Sequence, residues 1–479
     1  MNTFLDDASA LLGPRGLVTD ADLLSPWLTD WRGRYHGRAL AMALPGSTAE
    51  VSALVKLCAR HGVAIVPQGG NSGMCGGATP DASGAQLLLS LRRMDAVRAF
   101  DAAARQVTCE AGVILETLHR IAQAEGLRFP LSLGGKGSAT VGGLISTNAG
   151  GTQVLRHGTM RALVLGLEAV LANGSVWSAL TPLRKDNRGF DLKQLLIGSE
   201  GTLGIITAST LRLVPAVAER IVVWAGVGSI HDARALLLHG EERLGAAMEG
   251  FEVMPEATLR AVLDYLPDAR APLERSHPWH VLIEVVADRA CAANLRERTE
   301  TALAEAFASG LVHDAVLSAS EGQAEAFWTL RESVAPAERA KGPAVQHDIS
   351  VPVERMPDFI EAAVATMEQR HPEIEAVAFG HLGDGNVHFH VIAPPGAVAG
   401  AWQDLEGKAI SAEVYDMVAE WGGSISAEHG IGQAKLEELE RLGDPVSLAL
   451  LRQVKAALDP QGILNPGKLV RLAPLGATP

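Results

Sequence analysis

The chain has few cysteines, no long apolar run and no excess of positive charge, and each scarcity removes a class of function. Its four cysteines, Cys58, Cys75, Cys109 and Cys291, show neither close pairing nor metal-finger spacing in 479 residues. Reduced thiols in a cytoplasmic protein are therefore expected, rather than a disulfide scaffold or a zinc finger. No stretch of about 18 apolar residues runs uninterrupted, so no spanning helix is expected. The opening residues, Met-Asn-Thr-Phe-Leu-Asp-Asp, lack the basic region and apolar core of a signal peptide. A net charge of -14 disfavours nucleic acid as a partner. Internal repeats and low-complexity linkers are also lacking, which predicts closely packed domains.

What remains is globular. The composition is 47% hydrophobic and 20% charged, in a chain too long for one ordinary core. Periodicity predicts an α+β fold in three parts: 1–217, 218–425 and a closing segment over 426–479. Val51, Leu54, Val55 and Cys58 recur at helical spacing, so 48–62 reads as a helix stopped by Gly62. A short strand over 63–66 should end at Pro67. Strands are also expected at 86–89 and 106–110, with a helix over 113–125. Asn173-Gly174 marks a hairpin between 163–171 and 175–177. In the second part, 221–227, 281–287, 375–379 and 387–391 read as strands. Residues 323–341 read as one helix, and another is expected after 426.

Two kinds of segment carry the chemistry. The first kind is glycine-rich. Residues 67–80 hold five glycines in fourteen positions after a strand, which lets backbone N–H groups converge on an anion that side chains would keep away. Residues 130–151 and 198–206 have the same character. None is Gly-x-Gly-x-x-Gly, so a dinucleotide on a Rossmann fold is disfavoured. The second kind is histidine-rich. His381 and His388 stand seven apart across a turn holding Gly383 and Gly385. His388 and His390 share one strand face because the side-chain period is two. Glu428 and His429 come from a later loop. Imidazoles with one carboxylate suit an open metal site rather than a closed structural one.

The glycine segments, with Trp31-Arg32 and Tyr35 upstream, resemble the FAD-binding domain of the vanillyl-alcohol oxidase (PCMH-type) flavoproteins. His-x-Gly-Asp-Gly-Asn-x-His, Glu-His-Gly-x-Gly and the final Asn465-Pro-Gly-Lys are similar to the signatures of the D-2-hydroxyglutarate and D-lactate dehydrogenase branch. The resemblance spans nearly the whole chain. It implies a two-subdomain FAD-binding domain, a substrate or cap domain with an antiparallel sheet, and a small helical C-terminal segment that completes the flavin and metal sites. It implies FAD contacts from Pro67, Gly69, Gly70, Asn71, Ser72, Gly73, Gly76 and Gly77 in the first loop. In the second they come from Pro130, Gly135, Ser138, Gly142, Gly143, Thr147, Asn148, Gly150 and Gly151, and elsewhere from Gly201, Ile206 and Asn465. Some members tether FAD through a first-loop histidine; Asn71 stands there here, so non-covalent FAD is expected.

The same resemblance implies one divalent metal, with zinc expected, on His381, His388 and Glu428. It makes His429 the catalytic base and puts Arg331 on the substrate carboxylate, with Asn386, His390 and Gln346 lining the substrate. The reaction implied is oxidation of a D-2-hydroxy acid, with an electron-transfer flavoprotein as acceptor and a homodimer as the assembly. Three positions depart from the pattern: Ala335, Gln346 and His390 stand where the family has threonine, lysine and asparagine. Losing a charged hydrogen bond to a distal carboxylate costs about 1.5–3 kcal/mol, so a broader specificity than hydroxyglutarate is expected. A same-fold oxidase that makes hydrogen peroxide and a non-catalytic flavin subunit stay open at this point.

Overall fold

The computed structural model describes residues 2–183 and 185–472. It divides into two compact units, and neither is continuous in sequence. The first comprises residues 1–151, 158–215 and 428–479; the second comprises 152–157 and 216–427.

The first unit holds two sheets. In the four-stranded sheet the order is Leu17–Val18, Ala41–Ala43, Leu87–Ser90, Ile65–Gln68. In the five-stranded sheet it is Val97–Asp101, Gln106–Glu110, Ile205–Arg212, Val164–Val170, Val176–Ala179, antiparallel throughout. The helix Thr48–His61 forms where its apolar spacing predicts. The Ser47 hydroxyl accepts from the Glu50 amide at its start, and Gly62, at φ 65, ends it in the left-handed region. Its buried Val51, Leu54, Val55 and Cys58 join the core that also holds Leu87, Leu89 and Ile65. The strand expected to stop before Pro67 instead continues through it to Gln68. This strand lies at the edge of its sheet, so the missing proline N–H breaks no ladder. Asn173-Gly174 makes the predicted hairpin, with Gly174 at φ 76 and the Asn173 side chain accepting from the Ser175 amide.

The second unit is built on one seven-stranded antiparallel sheet. The order is Asp314–Leu317, Glu219–Val227, Trp279–Ala287, Met248–Pro255, Glu375–His381, Asn386–Ile392, Ala344–Ser350. One face carries Trp224, Leu282, Met254, Val377 and Phe379 against Phe327, Trp328, Leu330, Val334 and Ala337. Each large apolar side chain buried there contributes about 1.5–3 kcal/mol. The helix expected over 323–341 is two helices, Glu321–Glu332 and Val334–Lys341, joined at Ser333. Pro336 has no N–H to give the Glu332 carbonyl, so the ladder is interrupted there. After 426 the chain is irregular until the helices Leu436–Leu442 and Pro445–Leu458.

Candidate active site

The glycine segments of the first unit interlock through backbone. A Cβ on Gly70 would lie 1.7 Å from the Ser138 carbonyl oxygen, and one on Gly69 would lie 2.3 Å from Thr140 Oγ1. Gly142 approaches Ala111, and Gly151 approaches the Ser132 carbonyl; a Cβ on either would come within 2.6 Å of its neighbour. Side chains at Gly69 or Gly70 would therefore drive the first and second loops apart, and side chains at Gly142 or Gly151 would displace the second loop from its support. By contrast, a Cβ on Gly73 or Gly134 would meet nothing within 4 Å. The loops thus press together behind and stay open in front, a cradle that suits a diphosphate. Asn71 and Asn148 hold left-handed backbone, at φ 53 and φ 50. The Asn71 amide donates to the Thr29 carbonyl at 2.8 Å, and the Asn148 side-chain oxygen accepts from Thr159 and from the Arg161 amide, both at 2.9 Å. Ser72 lies beside Gly135, whose carbonyl accepts from the Ser138 hydroxyl. Pro130, Gly150 and Ile206 are buried, and the Thr147 hydroxyl donates to the Gly143 carbonyl.

The last segment of the chain ties into this cradle. Gly201, at φ 72, packs against Pro67. Its neighbour Glu200 is buried and accepts from the Ile431 and Gly432 amides, each at 2.7 Å. Burial pushes the Glu200 carboxyl upward, and those amides pull against it. The Asn465 amide donates to the carbonyls of Gly77, at 2.9 Å, and Glu200, at 2.8 Å. Gln433 donates to the Gly76 carbonyl at 2.8 Å. Lys455 is buried and donates to Asp459 and to the carbonyls of Thr202 and Leu464.

In the second unit a row of polar side chains crosses the apolar face of the sheet. Cross-strand register sets Glu252 beside His381, His388 between Phe379 and Asp348, and His390 between Val377 and Gln346. The turn joining the two histidine strands needs its glycines. Gly385 sits at φ +81 with the Val351 carbonyl 2.2 Å from where a Cβ would be, and Gly383 abuts Leu155. The Asn386 side chain donates to Asp348 at 2.9 Å and to the Ile349 carbonyl at 3.0 Å.

Glu252, 0% exposed, joins two of these groups. One oxygen meets His381 Nδ1 at 2.5 Å; the other accepts from Arg331 Nε at 2.8 Å and Nη2 at 2.7 Å. Burial alone would raise the Glu252 carboxyl, but the charge of Arg331 and the His381 contact outweigh it and hold it far below the usual range. Arg331 also lies over the Phe379 ring, 5.0 Å from its centroid. Burial, then the electrostatic influence of His381 and of the Arg331 charge, drives His388 well below the ordinary imidazole value. His390 is engaged through Nδ1 by the buried Glu338 carboxylate. A neutral His388, with a His381 whose Nδ1 is held by a carboxylate, is a donor pair suited to a divalent cation.

His381, His388, His390, Asn386, Gln346 and Arg331 therefore stand together in the second unit. Glu428 and His429 belong to the first. They follow directly on Ala427, whose amide donates to the Asp348 carbonyl at 3.3 Å. Glu252 and Glu338 escaped sequence reasoning, because a single glutamate in a strand or helix reads as a solvated charge. Only the abundance of partners around an apolar face could have hinted otherwise.

Two family models match successive stretches of the chain, the second of which runs from the second unit into the closing residues of the first. Residues 39–179 match an FAD binding domain, and residues 217–469 match the C-terminal domain of FAD linked oxidases. The chain belongs to the FAD-linked oxidases. This flavoprotein is an FAD-dependent oxidoreductase with a mixed α+β fold. It is 36% identical to the mitochondrial D-2-hydroxyglutarate dehydrogenase of Arabidopsis thaliana over 96% of this chain and 80% of the relative. It is 36% identical to D-2-hydroxyglutarate dehydrogenase of Xanthomonas citri pv. viticola over 95% and 94%. The flavoprotein also shares its fold with p-cresol methylhydroxylase, at TM-score 0.74 and 15% identity, covering 100% of this chain and 98% of that one.

Proposed function

We propose that the protein oxidises D-2-hydroxy acids to 2-oxo acids with non-covalent FAD and one divalent metal, zinc foremost. The observation that carries this reading is the Glu252–His381 contact beside a half-buried His388 whose imidazole is held well below its ordinary value. It is the carboxylate–histidine arrangement that orients a metal-binding imidazole. The names of the relatives supply the substrate class.

His381 and His388, with Glu428, would hold the metal. When bound, FAD supplies the hydride acceptor and the metal the Lewis acid that polarises the 2-hydroxyl. Arg331 presents a planar guanidinium already oriented by Glu252, suited to the C1 carboxylate of the substrate. His429, as a neutral imidazole near pH 7, takes the hydroxyl proton. Phe379 and Trp328 belong to the apolar cluster on this face of the sheet.

The test is anaerobic bleaching of the bound flavin by D- and L-2-hydroxy acids. D-acids are expected to bleach it stoichiometrically with 2-oxo acid. His429→Asn is expected to keep flavin and metal yet slow bleaching roughly 10²–10⁴-fold. Bleaching by L-acids alone, or a near-wild-type rate in His429→Asn, contradicts the respective assignment. Acid precipitation is expected to leave the flavin in the supernatant.

A further inference from the structure

The polar row of the second unit ends on two atoms that the fold leaves without a hydrogen-bond partner. Glu338 is 1% exposed; one carboxylate oxygen meets His390, and the other, Oε1, is buried with no partner. Gln346 stands directly across the strand pair from His390, and its Nε2 is also buried with no partner. Stranding one such atom costs about 1–3 kcal/mol. A fold that strands an acceptor and a donor on either side of one histidine has left them for something else.

Their position says what that is. Ala335 and Glu338, three residues apart, share one face of the helix Val334–Lys341, and Arg331 lies in the last turn of the helix before it. They run beside the sheet, with Arg331 on Glu252 at one end and Glu338 on His390 at the other. In sequence, the small residue Ala335 comes between them. A substrate anchored at the Arg331 end would extend past Ala335 toward Glu338 and Gln346.

We infer that this far end selects 2-hydroxy acids whose other terminus is a neutral group that both donates and accepts a hydrogen bond, a hydroxyl foremost, and turns away a second carboxylate. A hydroxyl gives its hydrogen to Glu338 Oε1 and accepts from Gln346 Nε2, satisfying both stranded atoms at once. A carboxylate has no hydrogen to give. It would set a second negative charge against Glu338, with a neutral amide at 346 in place of a cation. The His390 nitrogen nearest Glu338 is already engaged. This inference rests on the D-2-hydroxy-acid reading above.

The test uses the holoenzyme and a five-carbon series matched in length: D-2,5-dihydroxypentanoate, D-2-hydroxypentanoate and D-2-hydroxyglutarate. Rates of anaerobic flavin reduction and dissociation constants from the flavin spectrum are measured for each. The dihydroxy acid is expected to exceed the methyl-ended acid by roughly 10²-fold in reduction rate over dissociation constant, with the diacid last. A diacid that matches or exceeds the dihydroxy acid overturns the inference and leaves the D-2-hydroxy-acid reading intact. If none of the three, nor D-lactate, reduces the flavin, that reading falls and the inference with it. Glu338→Gln removes the charge and keeps the shape. It is expected to shift the ratio of diacid to dihydroxy acid at least ten-fold toward the diacid, and Glu338→Gln with Gln346→Lys further still. A ratio that does not move in a folded, yellow variant also overturns it.

Discussion

The two units build their sites from opposite materials. In the first, the cradle is backbone: Gly69, Gly70, Gly142 and Gly151 approach neighbours so closely that no side chain fits. In the second, the site is side-chain charge buried on an apolar face, with Glu252 shared between His381 and Arg331. Backbone recognition needs room, and its energy is spread over many N–H groups. Charge recognition needs exact partners, and its energy is concentrated in a few atoms whose loss strands the others. The first kind tolerates change outside its glycines. The second fails through any one member.

The largest effect should therefore come from breaking the charged row. Glu252→Ala leaves Arg331 without its carboxylate and His381 without its orienting contact. The second unit is expected to lose about 3–5 kcal/mol, and metal content should fall while the first unit still binds FAD. Chemical denaturation followed by tryptophan and flavin fluorescence separately checks this. Joint loss of both signals would mean that the two sites are not independent.

Breaking the cradle should cost less stability and more cofactor. Gly70→Ala forces the first and second loops apart at the Ser138 carbonyl, which costs about 1–3 kcal/mol. The expected product is a folded but pale protein with FAD affinity lowered at least roughly ten-fold, the equivalent of 1.4 kcal/mol. Flavin content after gel filtration measures it. An equally yellow Gly70→Ala protein would show that the glycines serve the loops and not the ligand.

The smallest effect sharpens the contrast within the second unit itself. Glu256 pairs with His280 at 2.6 Å on the rim of the same sheet. Burial pushes the Glu256 carboxyl up, but the His280 hydrogen bond and then Arg260 outweigh it, and its pKa falls from 4.5 to about 2. A depressed carboxylate stabilises the fold above its unfolded value and loses that contribution as pH drops through the folded one. Glu256→Gln is thus expected to cost about 1 kcal/mol above pH 4.5. The difference from wild type should shrink toward zero near pH 2. A gap in Tm that stays constant across that range would contradict the assignment.

How much of this was legible follows the same divide. Glycine punctuation and the His-x-Gly-Asp-Gly-Asn-x-His turn are local patterns, and Gly62, Asn173-Gly174 and Gly385 do what local pattern says. The strand bearing His388 and His390 was legible because Val387, Phe389 and Val391 alternate with them. Glu252 and Glu338 were not, since their meaning comes from residues 129 and 52 positions away. Pro67 misled because a proline ends a strand only where its N–H is wanted, and edge position is a property of the sheet. The assignment of 152–157 to the second unit had no sequence signal, because it shows only in packing, with Leu155 near Gly383 and Arg156 paired to Glu249.

The interrupted order of the first unit also bears on how the protein is made. Its glycine loops leave the ribosome early, but Asn465, which joins the Gly77 and Glu200 carbonyls, and Lys455, which joins Thr202 to Leu464, leave late. Residues 216–427 come between. At ordinary translation speed that interval lasts roughly 10–40 s. Only by its end does the second unit have all of its own strands and the means to fold, while the cofactor cradle waits unfastened. Flavin capture is thus expected late in synthesis, and a chain cut short just after Ala427 would be expected to emerge as a folded sheet unit carrying an unfinished, colourless partner.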